Sequence, residues 1–401
     1  MRICFVSRRF FPAISGMSVY ALNLLRELIA AGHDVTMISQ YRGDEFGRRV
    51  YGGGPPPAVP GVHVVGLEQV GEQNGGDFET DVANMKAAIL AEHARTPFDI
   101  IHAQYGYPCG WAAMAASRET GVPNVVSIQG GDGHWVGSCC ETHRLAMVRV
   151  LNHAGAVLIG CRSFAQEVVD RLGTDPARFT IVPGAVDASR FTPGERSATM
   201  LYHGRVDARK GVLDMLDAVR LLADEDIGFE LLISGIGPTY DETARRIEEL
   251  GLSGQVRMTG YIDYDDVPSI YRRAGIFVSP TYAEGFSNTI LEAMASRMAV
   301  VSCRSVGVID CIRDGENGLL TEPGDVAALA AALRRVLTDA ALRGRLADAA
   351  LDECRLAYSW SAVGRQIMQV YAALAGTGPD LDWPMELPVL PCRFRLEPHL
   401  L

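Results

Sequence analysis

Ile276-Phe-Val-Ser279, closed by Pro280, leads into Glu284-Gly-Phe-Ser-Asn-Thr-Ile-Leu-Glu292. The first stretch is a short apolar run of strand type. The second carries Ile290, Leu291 and Met294 at helical spacing behind Ser287 or Asn288 as N-cap, which predicts a helix from about Ser287 to Arg297. A strand feeding a helix in this way is the unit of a parallel α/β sheet, which places its ligands at the carboxyl ends of its strands. The first helical turn leaves backbone N–H groups without intrahelical partners and carries the positive end of the macrodipole. An anion is therefore expected over Gly285, Phe286, Ser287, Asn288 and Thr289. Two glutamates bracket that position, and eight residues of helix rise about 12 Å. Carboxylates bind hydroxyls and repel phosphate, so a ligand with a diphosphate in its middle fits, with Glu284 on a sugar and Glu292 on a ribose diol. A nucleotide sugar has that layout.

A second constellation points the same way. Thr199-Met-Leu-Tyr-His203 reads as a strand, followed by Gly204-Arg205, Arg209-Lys210-Gly211 and a helix with Val212, Leu216, Val219 and Leu222 on one face. Gly204 and Gly211 free the backbone at either end of the turn, while Arg205 and Lys210 bring two cations to one sheet edge. Arg forks onto two phosphate oxygens and Lys acts as a point charge, together supplying the neutralisation that a Mg²⁺ ion would otherwise give a departing diphosphate.

In order along the chain, Gly204-Arg205 and Lys210-Gly211, Ser234-Gly-Ile-Gly-Pro238, Val256-Arg-Met-Thr-Gly260 and the segment with seven residues between two glutamates resemble the C-terminal domain of retaining family 4 glycosyltransferases. The first half is similar to the same family at Met1-Arg-Ile-Cys-Phe-Val6, the loop from Pro12 to Ser18, Gly32-His33-Asp34-Val35-Thr36, Asp99-Ile-Ile-His102 and Val186-Asp187. The resemblance covers about residues 1 to 375, and an ordered series is more specific than any one motif. It implies the GT-B fold, two Rossmann-like domains facing across a cleft. The implied domains are an acceptor-side domain over 1–190 with a return helix at about 358–375, a donor-binding domain over 199–357, and an extended proline-rich tail over 376–401.

Carried onto this chain, the resemblance implies that Arg205 and Lys210 hold the diphosphate, Glu284 the donor hexose and Glu292 the ribose. Gly204 lies in the same turn. Backbone near Gly235 and over Gly260, Tyr261 and Ile262 holds the base, and the loop at Gly16 closes over the phosphates. It implies a nucleoside-diphosphate sugar as co-substrate, UDP ahead of GDP, with no cofactor, no metal ion and a hydroxyl acceptor that is a small metabolite, a glycan or lipid-linked. The family carries a histidine after the strand equivalent to Asn124-Val-Val-Ser-Ile128. Here the position is Gln129, followed by Gly130-Gly-Asp-Gly-His134. Gln129 hydrogen-bonds a sugar hydroxyl but carries no proton. His134, swinging in from the glycine-rich loop, and Asp132, on the acceptor side, are the other candidates there.

No side chain presents itself as a nucleophile on the reacting face, so the expected route is front-side displacement, the departing diphosphate taking the acceptor's proton. A nucleotide-sugar epimerase would need acid/base residues beside the sugar, where this chain has Gln129. A non-catalytic sugar-nucleotide binder would have no need of Arg205, Lys210 and both glutamates together. A dinucleotide dehydrogenase lacks its GxGxxG after the first strand.

A chain of 401 residues suits two α/β domains. Up to Arg190 it holds 16 Lys+Arg against 18 Asp+Glu and beyond it 21 against 30, so −9 of the total −11 lies in the second part. A nucleic-acid binder would carry a basic face instead. Arg8-Arg9-Phe10-Phe11 is placed either to touch a membrane or to line a cleft. No stretch reaches the roughly 18 uninterrupted apolar residues that span a bilayer. Nine cysteines without a CxxC pair, and a Met1 that leads straight into a strand, point to the reducing cytoplasm. Strands are predicted at about 2–6, 34–39, 62–66, 99–103, 124–128 and 156–159 in one sheet, and 199–203, 229–234, 256–260, 276–279 and 299–303 in another. A hinge is expected at about 187–198, where Pro193-Gly194 breaks structure.

Overall fold

The computed structural model describes residues 1–45, 53–130, 140–194 and 197–388, and forms two compact units: Met1–Pro183 with the chain from Trp360 onward, and Gly184–Ser359.

Among the described residues the first unit is built on strands β1 (Arg2–Ser7), β2 (Asp34–Tyr41), β3 (Val62–Glu68), β4 (Ile100–Gln104), β5 (Asn124–Ile128), β6 (Ala156–Ile159) and β7 (Phe179–Ile181). All pair in parallel, in the order β3-β2-β1-β4-β5-β6-β7. Ile3, Cys4, Phe5 and Val6 are all fully buried, as expected of a central parallel strand covered on both faces. The helices include α1 (Gly16–Ala30), α2 (Val70–Gln73), α3 (Phe78–Arg95), α4 (Trp111–Thr120), α5 (Glu141–His153) and α6 (Arg162–Leu172). The strand β7 lies outside the predicted set because Thr180 and Ile181 are exposed, leaving no apolar run to read.

The second unit contains strands β8 (Met200–His203), β9 (Leu231–Ser234), β10 (Val256–Gly260), β11 (Ile276–Ser279), β12 (Ala299–Cys303) and β13 (Gly318–Thr321), parallel in the order β10-β9-β8-β11-β12-β13. Its helices include α7 (Val212–Asp224), α8 (Tyr240–Glu249), α9 (Val267–Tyr271), α10 (Asn288–Ala295), α11 (Val326–Thr338) and α12 (Ala340–Ala357). One buried cluster packs Val212, Leu216, Val219 and Leu222 of α7 under Met200, Leu231 and Ile233; another packs Ile290, Leu291 and Met294 of α10 under Leu201, Phe277 and Val300. The edge strand β13 opens with a glycine because a Cβ there would stand 2.7 Å from Ile312 Cγ2, and that glycine hid it from a propensity reading.

In each sheet the chain builds outward on one side and then crosses back, so the order reverses between β1 and β4 and between β8 and β11. Those reversals are the switch points where parallel sheets open a crevice for ligand.

Within the segment expected to be a hinge, Arg190, Phe191 and Gly194 are packed. Arg190 donates to Tyr264 O at 2.7 Å with its guanidinium 3.9 Å over the Tyr264 ring, Phe191 is buried edge-on to Tyr271, and a Cβ on Gly194 would stand 2.1 Å from Arg272 O. Pro193-Gly194 is a close backbone approach rather than a joint, and the chain changes units at Gly184 and again at Trp360. Helix α13 (Trp360–Leu374) packs in the first unit, where Tyr371 Oη lies 2.5 Å from His102 Nδ1 and His102 Nε2 2.7 Å from Ser127 Oγ. Beyond it the chain is docked as far as Pro388. Trp383 is buried against Trp111, Arg118 Nη1 donates to Trp383 O at 2.8 Å, Arg149 Nη1 donates to Glu386 O at 2.6 Å, and His153 Nδ1 lies 2.8 Å from Asp380 Oδ2. No helix among the described residues is long and apolar enough to cross a membrane.

Candidate functional site

At the switch point of the second unit, β8 ends in His203 and the chain turns through Gly204 at φ +145°. The loops after β8, β9 and β10 interlock by backbone: Gly204 N donates to Ser234 O at 3.0 Å, Val206 N to Ile236 O at 3.0 Å, and Gly235 N to Gly260 O at 2.9 Å. Gly235 sits at φ +126° and a Cβ there would stand 1.9 Å from Gly204 O, so only glycine lets the first two loops touch. Asp207 organises the basic turn. Its carboxylate accepts from Arg209 N at 3.0 Å and Arg209 Nη2 at 2.9 Å, and Arg205 Nε lies 3.5 Å away. Burial raises the Asp207 pKa, but the Arg209 hydrogen bonds and the two guanidinium charges outweigh it and hold the group below its ordinary value.

Lys210 ends that turn, and Nζ donates to Glu284 Oε1 at 2.6 Å. The two candidates from the loops after β8 and β11, separated by 74 residues, are thus in contact. Gly211 follows at φ +66°, where a Cβ would stand 2.1 Å from Pro280 O, so the basic turn presses directly on the end of β11. Tyr282 N donates to Arg209 O at 3.0 Å, closing the same junction.

Helix α10 is shorter than its sequence pattern. It begins at Asn288 with Ser287 as N-cap, and the Ser287 side chain caps no backbone N–H of the helix; its hydroxyl pairs instead with Thr289 Oγ1 at 3.3 Å. Glu284 therefore lies in the loop, and only the four steps from Asn288 to Glu292 climb the helix, about 6 Å rather than 12. Gly285 and Phe286 are half-buried in the same loop, with Phe286 tilted against Tyr358 at 5.6 Å. Glu292 is almost buried and accepts from Tyr271 Oη at 2.8 Å. Burial pushes its carboxyl up to about 7 against the pull of the Tyr271 hydrogen bond and the Arg190 charge. Tyr271, with Phe191, His203 and Phe277 around its ring, is fully buried. Nothing in its sequence context distinguishes it from an ordinary core tyrosine. Tyr261, beyond Gly260, is half exposed, and Ile262 packs on the α10 cluster.

In the first unit Gly16 is the first residue of α1, capped by Ser15, whose Oγ accepts from Ser18 N at 3.3 Å. Gln129 Oε1 accepts from Gln104 Nε2 at 2.9 Å. His134 and Asp132 lie outside the described residues. Arg8, read as a membrane or cleft residue, is buried in an ion pair with Glu72 at 3.0 Å, and Phe10 is buried too. The reading of that run as a membrane contact does not survive for these two side chains. Glu72 also accepts from Gln69 Nε2 at 2.8 Å and lies 3.4 Å from Arg42 Nη1, a buried polar cluster that no spacing in the sequence announces.

Two family models match in tandem: "Glycosyl transferase 4-like domain" over residues 15–185 and "Glycosyl transferases group 1" over 187–352. The chain belongs to the family 4 type of GT-B glycosyltransferases. The glycosyltransferase is 28% identical to a glycogen synthase of Mycobacterium tuberculosis H37Rv, over 93% of this chain and 95% of that protein. It is 27% identical to a D-inositol 3-phosphate glycosyltransferase of Salinispora arenicola, over 91% and 89% of the two chains. Its fold is similar to that of a sucrose-phosphate synthase from Thermosynechococcus elongatus, with a TM-score of 0.78, 23% identity and 93% and 98% of the chains covered. It is also similar to that of Anabaena HepE in complex with UDP and glucose, with a TM-score of 0.74, 16% identity and 93% and 99% covered.

Proposed function

We propose that this glycosyltransferase moves a hexose, with retention of configuration and without a metal ion, from a UDP sugar to a hydroxyl acceptor. The observation that carries the reading is the 2.6 Å contact of Lys210 Nζ with Glu284 Oε1. It sets an ammonium suited to a phosphate directly beside a carboxylate suited to sugar hydroxyls. That juxtaposition suits a ligand in which a sugar is joined to a diphosphate, at the bond that breaks.

The acceptor oxygen approaches C1 from the face the diphosphate leaves. The C1–O bond to the diphosphate breaks as the new C1–O bond forms, and the freed phosphate oxygen takes the acceptor's proton. Arg205 and Lys210 neutralise the charge that grows on the leaving group, with the first turn of α10 beside them. Glu284 holds hydroxyls of the hexose, Glu292 the ribose diol, and the backbone over Gly235 and Gly260–Ile262 the base. A relative named glycogen synthase and a structural neighbour in complex with UDP and glucose support a nucleotide sugar as donor.

The test is turnover of UDP-glucose in excess chelator by wild type and by Arg205→Ala. Arg205 is 38% exposed, so its truncation is expected to leave the fold in place, and a thermal melt of the variant checks that. Removing an electrostatic donor to the leaving group costs about 10²- to 10³-fold in kcat, or about 3–4 kcal/mol. Activity that vanished with chelator and returned with Mg²⁺ or Mn²⁺, or an Arg205→Ala variant with full turnover, would refute the assignment.

A further inference from the structure

Tyr271 closes α9 just ahead of β11, and its ring is clamped on three sides. Phe191 stands edge-on at 5.3 Å, His203 edge-on at 5.6 Å, and Phe277 stacks at 5.7 Å with 20° between the planes. Tyr271 is fully buried, so no ligand reaches the phenol. Held in this way, the ring aims its hydroxyl at α10 alone. Glu292 Oε2 lies 2.8 Å from it and Thr289 O 3.4 Å. All of these residues belong to the second unit.

A phenol has one proton to give. The shorter contact takes it, which commits Oε2 of Glu292 to Tyr271. Oε1 makes no hydrogen bond among the described residues, and Glu292, unlike Tyr271, keeps part of its surface, 8%, exposed. The carboxylate is thus anchored by one oxygen and open at the other. The same bond acts on its charge. Burial drives the carboxyl towards the neutral form, and the Tyr271 hydroxyl, together with the Arg190 charge, pulls it back. An ionised carboxylate only accepts, whereas a protonated one exchanges part of that capacity for a donor. A hydroxyl that donates is better met by the ionised group.

We propose that Tyr271 is a positioning residue that anchors Glu292 by Oε2 and so presents Oε1 to the ribose hydroxyls of the nucleotide. Recognition of the ribose then depends on a buried phenol as well as on the carboxylate that touches it. The proposal rests on the reading of Glu292 as the ribose ligand and extends it to a residue, Tyr271, that never meets substrate.

The full chain is titrated calorimetrically at pH 8, above the Glu292 value of about 7, with UDP and with its 2′-deoxy and 3′-deoxy analogues. Base and diphosphate are common to all three, so the ratio of affinities isolates the ribose hydroxyls. Wild type is expected to prefer UDP about tenfold over at least one analogue. Tyr271→Phe keeps the ring and removes the hydroxyl. The preference should fall to about threefold or less, with binding of that same analogue unchanged. Tyr271→4-aminophenylalanine puts an N–H donor where the hydroxyl was; it should restore most of the preference, and it decides the matter should phenylalanine unfold the protein. A tyrosine that only fills the core would move UDP and its analogues together. Equal weakening of all three by Tyr271→Phe, an undiminished preference in that variant, or an aminophenylalanine protein that folds without the preference would overturn the proposal and leave the donor reading intact. A wild type that prefers UDP over neither analogue, or binds none of the three, would overturn the proposal and the ribose role of Glu292 together.

Discussion

Glu284 and Glu292 were read from the sequence as a pair, and the structure gives them different surroundings. Glu284 is half-buried beside a cation; Glu292 is nearly buried against a phenol. On the proposed donor orientation Glu284→Gln should therefore lower kcat, since that orientation sets it against the sugar where charge develops. Glu292→Gln should raise the donor KM and weaken free UDP, since the ribose does not change in the reaction. Calorimetry with UDP separates them: equal weakening by the two variants would contradict the donor orientation. Glu292 also makes stability depend on pH. Its folded pKa is raised from an ordinary 4.5 to about 7, so the folded state binds the proton more tightly than the unfolded chain. Stability is then fully present below pH 4.5 and falls as pH rises through about 7, by on the order of 2–3 kcal/mol. Thermal melts of Glu292→Gln between pH 4.5 and 8 should lose that share of the decline, and an unchanged pH profile would show that the carboxylate is ionised throughout. At this scale charges at strand ends were legible, because Arg, Lys and Glu there have few structural excuses. Gln104 and Tyr271 were not, because a neutral polar residue in an apolar run carries no period or spacing that separates a network member from core.

At the scale of elements, strand-to-helix alternation gave both sheets, and misses fell where apolar runs fail. The exposed β7 and the glycine-led β13 are examples. Boundaries were set by contacts the sequence does not show: α10 starts at Asn288 because the loop before it is held by Glu284 N donating to Val306 O at 3.0 Å. The tail was expected as an extended proline-rich segment, and proline spacing could not say that Trp383 is 4% exposed against Trp111. Its docking is structural and can be measured. Trp383→Ala removes a buried aromatic and the cation–π contact of Arg118, which lies 5.4 Å from the ring. It should destabilise the first unit by about 3 kcal/mol. Chemical denaturation followed by Trp fluorescence checks this, and a loss under about 0.5 kcal/mol, the range of a surface substitution, would mean the segment merely lies on the surface.

At the scale of the molecule, each unit repeats one device: a parallel sheet whose order reverses beside a central strand, with polar side chains gathered where it reverses. In the second unit these are Arg205, Lys210 and Glu284; in the first, Ser7, Gln104 and Gln129. The family, the fold and the donor class follow from ordered motifs, whereas acceptor choice is not encoded in any spacing. The central claim is retaining transfer from a UDP sugar, and water can stand in for the acceptor. Time-resolved proton NMR of UDP-glucose hydrolysis by the glycosyltransferase, in excess chelator and faster than mutarotation, reads the anomer released. The account predicts α-glucose first, the configuration of the donor; β-glucose first would contradict it.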